Sequence, residues 1–201
     1  NNGSLVVGGN ITMDASNISQ YGYAYFDQGA GSTTINGNIS AVGYDGSQTS
    51  ILSFTGAGTI DLNGASSSLS VNAYSHVNFS SFAGNINVNG SAGMVSIAAN
   101  GTLTLGSGAS NLNLSGSITN AGTFAAGSAS TVNYKGNTTQ TIAALNYYHL
   151  TSSGSGNRTL AAAGTIGVAG AFTNGTNVYT NTGSTLNFNG TGAQTVPAFS
   201  Y

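Results

Sequence analysis

Short runs of alternating apolar and polar residues, each opened by glycine, recur along this chain. They read Gly9-Asn-Ile-Thr-Met13, Gly58-Thr-Ile-Asp-Leu62, Gly84-Asn-Ile-Asn-Val88 and Gly101-Thr-Leu-Thr-Leu105, with shorter versions at Gly37-Asn-Ile39 and Gly116-Ser-Ile118. Period-two alternation predicts short strands, with Ile, Leu and Val on one face and Asn, Thr or Ser on the other. The mean step between the six glycines is (116 − 9)/5, about 21 residues, which lies in the range of a solenoid coil. Stacked at roughly 4.8 Å, such strands hydrogen-bond above and below and line their apolar residues into ladders. Outward Asn and Thr then form side-chain hydrogen-bond ladders from coil to coil.

A longer unit repeats near the end. Thr131-Val-Asn-Tyr-Lys-Gly-Asn-Thr-Thr-Gln-Thr-Ile-Ala-Ala-Leu-Asn-Tyr147 aligns with Thr185-Leu-Asn-Phe-Asn-Gly-Thr-Gly-Ala-Gln-Thr-Val-Pro-Ala-Phe-Ser-Tyr201, an offset of 185 − 131 = 54. Upstream, Gly116–Phe124 aligns with Gly164–Phe172 at 164 − 116 = 48, which implies an insertion between the two halves. Fixed-period self-similarity is the mark of a stacked architecture. The expected organisation is irregular coils over residues 1–115, continuous with tandem-repeat coils over 116–201. At about 21 residues per coil, 201 residues give nine or ten coils and a rod of roughly 45 Å.

Composition agrees with strand and turn. Glu is absent, Lys occurs once, and 31 residues are Gly, whereas Thr, Val, Ile and Tyr are plentiful. A disordered Gly/Ser/Thr/Asn tract is the plainer reading of such a mixture, but 39% hydrophobic residues in alternation can bury a core. Asn-Gly pairs at Asn2, Asn36, Asn63, Asn89, Asn100, Asn174 and Asn189 suit tight corners. They also suit β-hairpins, so an antiparallel sandwich competes; the coil-length recurrence favours the solenoid.

Without cysteine the chain has no disulfide framework and no thiolate metal site. A net charge of −2, with Lys135 and Arg158 the only cations, gives no footprint for nucleic acid. No apolar run is long enough for a transmembrane helix, and residue 1 opens no secretory leader. These features predict a segment of a longer, processed polypeptide.

The Gly-x-Ile phrases, with the tandem unit running on through Gln140-Thr-Ile-Ala-Ala-Leu-Asn-Tyr-Tyr-His-Leu-Thr-Ser-Ser-Gly-Ser-Gly-Asn-Arg-Thr-Leu160, resemble repeats of very large bacterial surface proteins. The wider resemblance is to filamentous-haemagglutinin-like exoproteins and autotransporter passengers. It implies an all-β, right-handed parallel β-helix at the bacterial cell surface, acting as adhesin, stalk or filament and not as an enzyme. It carries over no catalytic, cofactor or metal residue. Implied partners are further copies of the chain, end to end or side by side, and cell-surface glycans.

Candidate chemistry is sparse. Asp14, Asp27, Asp45 and Asp61 are the only carboxylates, and a pair on adjacent coils would allow polysaccharide hydrolysis; the cations that accompany such sites are nearly missing, and Asp45-Gly46 reads as a turn. Single carboxylates cannot assemble a calcium site, and no Gly-Gly-x-Gly-x-Asp repeat is present. His76 and His149 have no partner at metal-ligand spacing. Asn-x-Ser/Thr sequons, including Asn10, Asn17, Asn38, Asn78, Asn113 and Asn157, matter as acceptors only if the source organism glycosylates asparagine. Ice binding needs a flat, regular outward face, and the varied glycine spacing predicts an irregular one.

Tyr21, Tyr23 and Tyr25 share one strand face, opposite Gly22 and Ala24. Turned inward they would close the end of the stack; turned outward they would stack on sugar rings or on a neighbouring molecule. They are the candidate glycan or partner contact. Tyr147 recurs as Tyr201, which points to a structural place in the repeat.

Overall fold

The computed structural model describes residues 3–14, 22–43, 49–90 and 93–199. Every described strand is extended β, none of the described residues is helical, and all the described strand pairs are parallel. Among the described residues no helix is therefore long and apolar enough to cross a membrane. The architecture is all-β with large parallel sheets, consistent with a parallel β-solenoid.

The strands fall into three columns. The first holds Gly22–Asp27, the leading half of Ser50–Leu62, the leading half of Ser75–Val88, Thr102–Leu105 and Thr123–Ala125. The second runs eight strands deep, from Ser4–Val7 through Ser32–Ile35 and the trailing halves of those two long strands to Asn111–Leu114, Thr131–Tyr134, His149–Ser152 and Phe172–Thr173. The third holds Ile11–Asp14, Ile39–Val42, Leu69–Val71, Val95–Ile97 and Ile118–Asn120. Two three-stranded sheets continue the stack: Gln140–Ile142, Arg158–Leu160 and Tyr179–Thr180, and Asn146–Tyr147, Thr165–Val168 and Thr185–Phe188. Thr141 N–H on Ser117 Oγ, 3.0 Å, and Phe124 against Tyr147, 5.9 Å between ring centroids, tie these sheets to the third and first columns.

The six glycine phrases are thus not one series. Ile11, Ile39 and Ile118 lie on the third column, Ile60 and Ile86 on the second, and Leu103 on the first. The mean step of about 21 mixes faces; the register itself shows the coil length. In the second column Ser4 pairs Ser32 and Ser32 pairs Thr59, steps of 28 and 27. Asn111 pairs Thr131 and Thr131 pairs His149, steps of 20 and 18. Coils shorten to Thr131–His149, and the next step, Leu150 to Phe172, is 22.

Inward residues stack as alternation requires. Ile60, Ile86, Leu112, Val132, Leu150 and Phe172 form one continuous buried row, and Ile35, Leu62, Val88, Leu114 and Tyr134 another. Phe54 and Phe79 stack at 4.7 Å, with Phe26 and Phe82 against them. Corners need backbone contact without side chains: Gly58 has φ +97°, and a Cβ on Gly84 would lie 2.2 Å from the Gly58 carbonyl oxygen.

The tandem unit is corrected by the structure. Gln140, buried, accepts the Gly136 N–H at 2.7 Å and donates to the carbonyls of Leu114 and Gly116. Gln194 repeats this with the Gly190 N–H at 2.7 Å, the Val168 carbonyl at 2.8 Å and the Gly170 carbonyl at 2.7 Å. Leu114 to Val168 and Gly116 to Gly170 are each an offset of 54, the same as Gln140 to Gln194. Ser115-Gly-Ser-Ile-Thr-Asn-Ala121 then matches Ala169-Gly-Ala-Phe-Thr-Asn-Gly175, and the offset of 48 with its insertion falls away. The copies lie on different faces: Asn111–Leu114 and Thr131–Tyr134 belong to the second column, whereas Thr165–Val168 and Thr185–Phe188 belong to a three-stranded sheet.

Candidate functional site

In Gly22–Asp27, Gly22 is buried while Tyr23 and Tyr25 are 55% and 75% exposed. The strip therefore faces outward, because the inward positions of this strand are taken by Gly22, Ala24 and Phe26 packed on the Phe54 layer. Tyr21 lies outside the described residues. The register sets Tyr25 beside Ser53 and then Asn78, and Tyr23 beside Ile51 and then His76. A shallow groove of about 260 Å³ crosses these three coils.

A β-bulge lies under that groove. Ser53 pairs Asn78 but Thr55 pairs Ser81, so two residues, Phe79 and Ser80, stand opposite Phe54. The extra residue breaks the alternation, and Ser80 and Ser81 are both exposed on the same side. Asn78 Oδ1 accepts the Ser80 N–H at 2.8 Å and fixes the bulge.

The second face is a regular polar array. Asn87 Nδ2 donates to Asp61 at 2.7 Å, Asn113 to Asn87 at 2.8 Å and Asn133 to Asn113 at 3.1 Å, and Ser153 Oγ donates to Asn133 at 2.9 Å. Beside this row, Asn111 donates to Asn85 at 3.1 Å, Asn89 to Asn63 at 2.8 Å, and Lys135 Nζ to Asn89 at 2.6 Å. Each amide in the main row donates toward the N-terminal end of the stack, where the Asp61 carboxylate is the final acceptor. Uneven coil length does not disturb this face, because the insertions sit at the corners.

The described carboxylates, Asp14, Asp27 and Asp61, are not brought together in register. Asp14 pairs Val42, Asp27 pairs Thr55, and Asp61 lies between Thr34 and Asn87 in register. Asp27 Oδ1 accepts the Gly29 N–H at 3.0 Å, a turn role; Asp45 lies outside the described residues. Among the described residues no group of three His, Cys, Asp or Glu could hold a metal ion. His149 Nδ1 accepts the Ala171 N–H at 2.9 Å, and His76 stands between Ile51 and Thr102 on the first column. Several sequon asparagines are backbone acceptors, as in Asn10 to the Asn38 N–H and Asn38 to the Ser68 N–H, both 2.9 Å. Asn17 lies outside the described residues.

Two buried polar clusters carry no signal in the alternation pattern. Arg158 is fully buried, and its guanidinium donates to five backbone carbonyls: Gly156 at 2.6 Å, Asn157 at 3.1 Å, Tyr134 at 2.7 Å, Gly136 at 3.3 Å, and Ser153. Burial draws its pKa down. Tyr134 and Tyr147 form a closed ring with Ala143: the Ala143 N–H donates to Tyr134 Oη, Tyr134 to Tyr147 Oη at 2.8 Å, and Tyr147 to the Ala143 carbonyl at 2.9 Å. Tyr201, the counterpart of Tyr147, lies outside the described residues.

Burial pushes the Tyr134 hydroxyl up to about 12, and burial beside Tyr134 holds Tyr147 well above its ordinary value. The folded chain therefore grips these protons more tightly than the unfolded chain, whose tyrosines titrate near 10. That stabilisation is complete below pH of about 10 and is lost as pH rises through the folded value of about 12. The thermal midpoint is expected to fall across that window, and Tyr134→Phe to flatten the fall; a wild-type midpoint constant from about pH 9 to 12 would contradict it.

Comparison with known proteins found no matching family model, no matching curated protein and no matching solved structure.

Proposed function

We propose that the chain is a structural and adhesive segment of a large extracellular bacterial surface protein, a right-handed β-solenoid working as stalk and surface-contact module. The observation that carries this reading is the continuous polar face. The Asp61–Asn87–Asn113–Asn133–Ser153 row is satisfied by its own members, and a satisfied ladder of this kind stiffens a rod without doing chemistry. The register sets Asp14, Asp27 and Asp61 beside residues other than carboxylates, and His149 accepts a backbone N–H, which supports a contact role over hydrolysis.

Stiffness follows from the design. Each coil is hydrogen-bonded to the next through backbone, side-chain amides and buried apolar rows, so bending the stack strains all three together. Electron imaging of the protein, with diffraction from oriented material, tests the reading. Narrow rods with a strand spacing of about 4.8 Å along the rod axis are expected, together with no release of sugar from polysaccharides. Compact particles without that axial spacing would refute it.

A self-assembling filament subunit is the second reading. The regular asparagine face favours it, since a chain with 3% charged residues puts little repulsion between neighbouring rods. Bundles that thicken with protein concentration distinguish it from a single stalk.

A further inference from the structure

We infer that Tyr23, Tyr25 and the bulge serines form a binding site for a neutral glycan chain laid across three coils, an inference that rests on the surface-contact reading above. Tyr23 and Tyr25 stand two residues apart on one strand face, about 6.5–7 Å along it, and each offers an exposed ring with a polar tip. Tyrosines so placed match the apolar C–H faces of successive pyranose rings. On the next two coils, each about 4.8 Å further, Ser53, Asn78, Ser80 and Ser81 line the same groove.

The bulge is what turns this surface into a site. A regular strand would turn one of Ser80 and Ser81 inward; the extra residue leaves both exposed, side by side in the groove that the tyrosines line and level with Phe26 and Asp27, next along the strand from Tyr25. Bulges that re-aim side chains in this way are concentrated near functional sites. Phe54 and Phe79 are stacked beneath, so the floor is rigid.

Charge selects the ligand class. The groove is lined by no charged side chain, and Asp27, on the same strand face, is exposed at its end. Both cations are engaged elsewhere: Lys135 bonds Asn89 on the second face, and Arg158 is buried. An acidic polysaccharide meets no counter-charge here, whereas a neutral one finds rings, hydroxyls and an amide. The groove lies across the face of three strands already paired with one another, Gly22–Asp27 being the outermost of its column among the described residues, so a peptide lying in the groove does not add to it as a strand. At about 260 Å³ it holds one or two sugar rings, below the volume of sites that enclose a drug-sized ligand. Weak binding, with a Kd on the order of 0.1–1 mM, is expected, and tight attachment would require several copies of the chain to engage together.

The test is titration of the chain with cellopentaose and chitopentaose, and with an oligogalacturonate as the acidic comparison, followed by calorimetry or by tyrosine ring signals in NMR. Binding of a neutral oligomer, weakened about tenfold or more by Tyr25→Ala and retained by Tyr25→Phe, is expected. Tyr25 is so exposed that its loss leaves the fold intact, checked by an unchanged thermal midpoint. No neutral oligomer bound, acidic binding of equal strength, or binding indifferent to Tyr25→Ala would each overturn the inference. Imaging the same sample separates the two readings: rods that bind no sugar defeat the glycan site alone, and absence of rods defeats the surface-module reading beneath it.

Discussion

Arg158→Leu is expected to destabilise the chain by about 3–5 kcal/mol, because it removes several hydrogen bonds from one charged donor, worth about 1.5–3 kcal/mol apiece and less than additive. The guanidinium satisfies carbonyls from two successive coils, Tyr134 and Gly136 on one and Ser153, Gly156 and Asn157 on the next. Leucine fills part of the volume but removes the guanidinium from all five oxygens; the Tyr134, Gly136 and Asn157 carbonyls keep the N–H groups of Ser153, Gly156 and Gln140, whereas a buried acceptor left unmet, as at Ser153, costs about 1–3 kcal/mol. Two effects moderate the sum. Removing the charge relieves its desolvation, the cause of its lowered pKa, and Asn177 Nδ2 still donates to Gly156 at 2.8 Å. Lysine is not expected to rescue, because one ammonium cannot reproduce the planar fork that reaches both coils. Urea midpoints of wild type, Arg158→Leu and Arg158→Lys measure this. A Leu variant within about 1 kcal/mol of wild type would show the clamp to be dispensable.

Phe79→Ala should cost a similar amount, about 3–5 kcal/mol. Phe79 is fully buried, stacks on Phe54 with centroids 4.7 Å apart and rings 15° from parallel, and meets Phe82 edge-on at 6.0 Å. The hole cannot close easily, because its walls are strands held in register by the coils above and below. Phe79 also belongs to the bulge, so the variant should loosen Ser80 and Ser81 along with the core. Denaturant unfolding gives the stability, and the tyrosine ring signals report the groove. Phe82→Ala is the comparison, for Phe82 is buried to the same degree but lies past the bulge. If Phe79→Ala unfolds near the wild-type midpoint, the aromatic layer is not holding the first column together.

Much of this fold is readable in the chain because period-two alternation states directly which residues face inward. Ile60, Ile86 and Leu103 are buried as their phrases require, and Asn87, Asn113 and Asn133 form the polar ladder expected of stacked asparagines. Alternation says nothing about which face of the rod a strand occupies, so phrases from three columns read as one series. Nor does it tell inside from outside when both sets of positions are unusual. In Tyr21-Gly-Tyr-Ala-Tyr25 the strand turns its small residues inward because Phe26 and the Phe54–Phe79 stack already fill the space. Arg158 was invisible as a clamp, since its partners are backbone carbonyls, which every residue has. Gln140 and Gln194 were in plain view in the repeat, and their positions 54 apart were the clue that its upstream halves share the same offset.

From Asn111–Leu114 to Thr165–Val168 the chain passes eight strands, and from Thr131–Tyr134 to Thr185–Phe188 eight again, while each turn in this region takes three. Eight is one short of three full turns, so sequence period and winding are out of step. A side chain and its counterpart 54 residues later therefore look out in directions a third of a turn apart. Were the unit to continue, three copies, 3 × 54 = 162 residues, would bring it back to its starting direction. Any adhesive group carried by the unit would spiral around the shaft, reaching a surface whichever way the rod happened to lie.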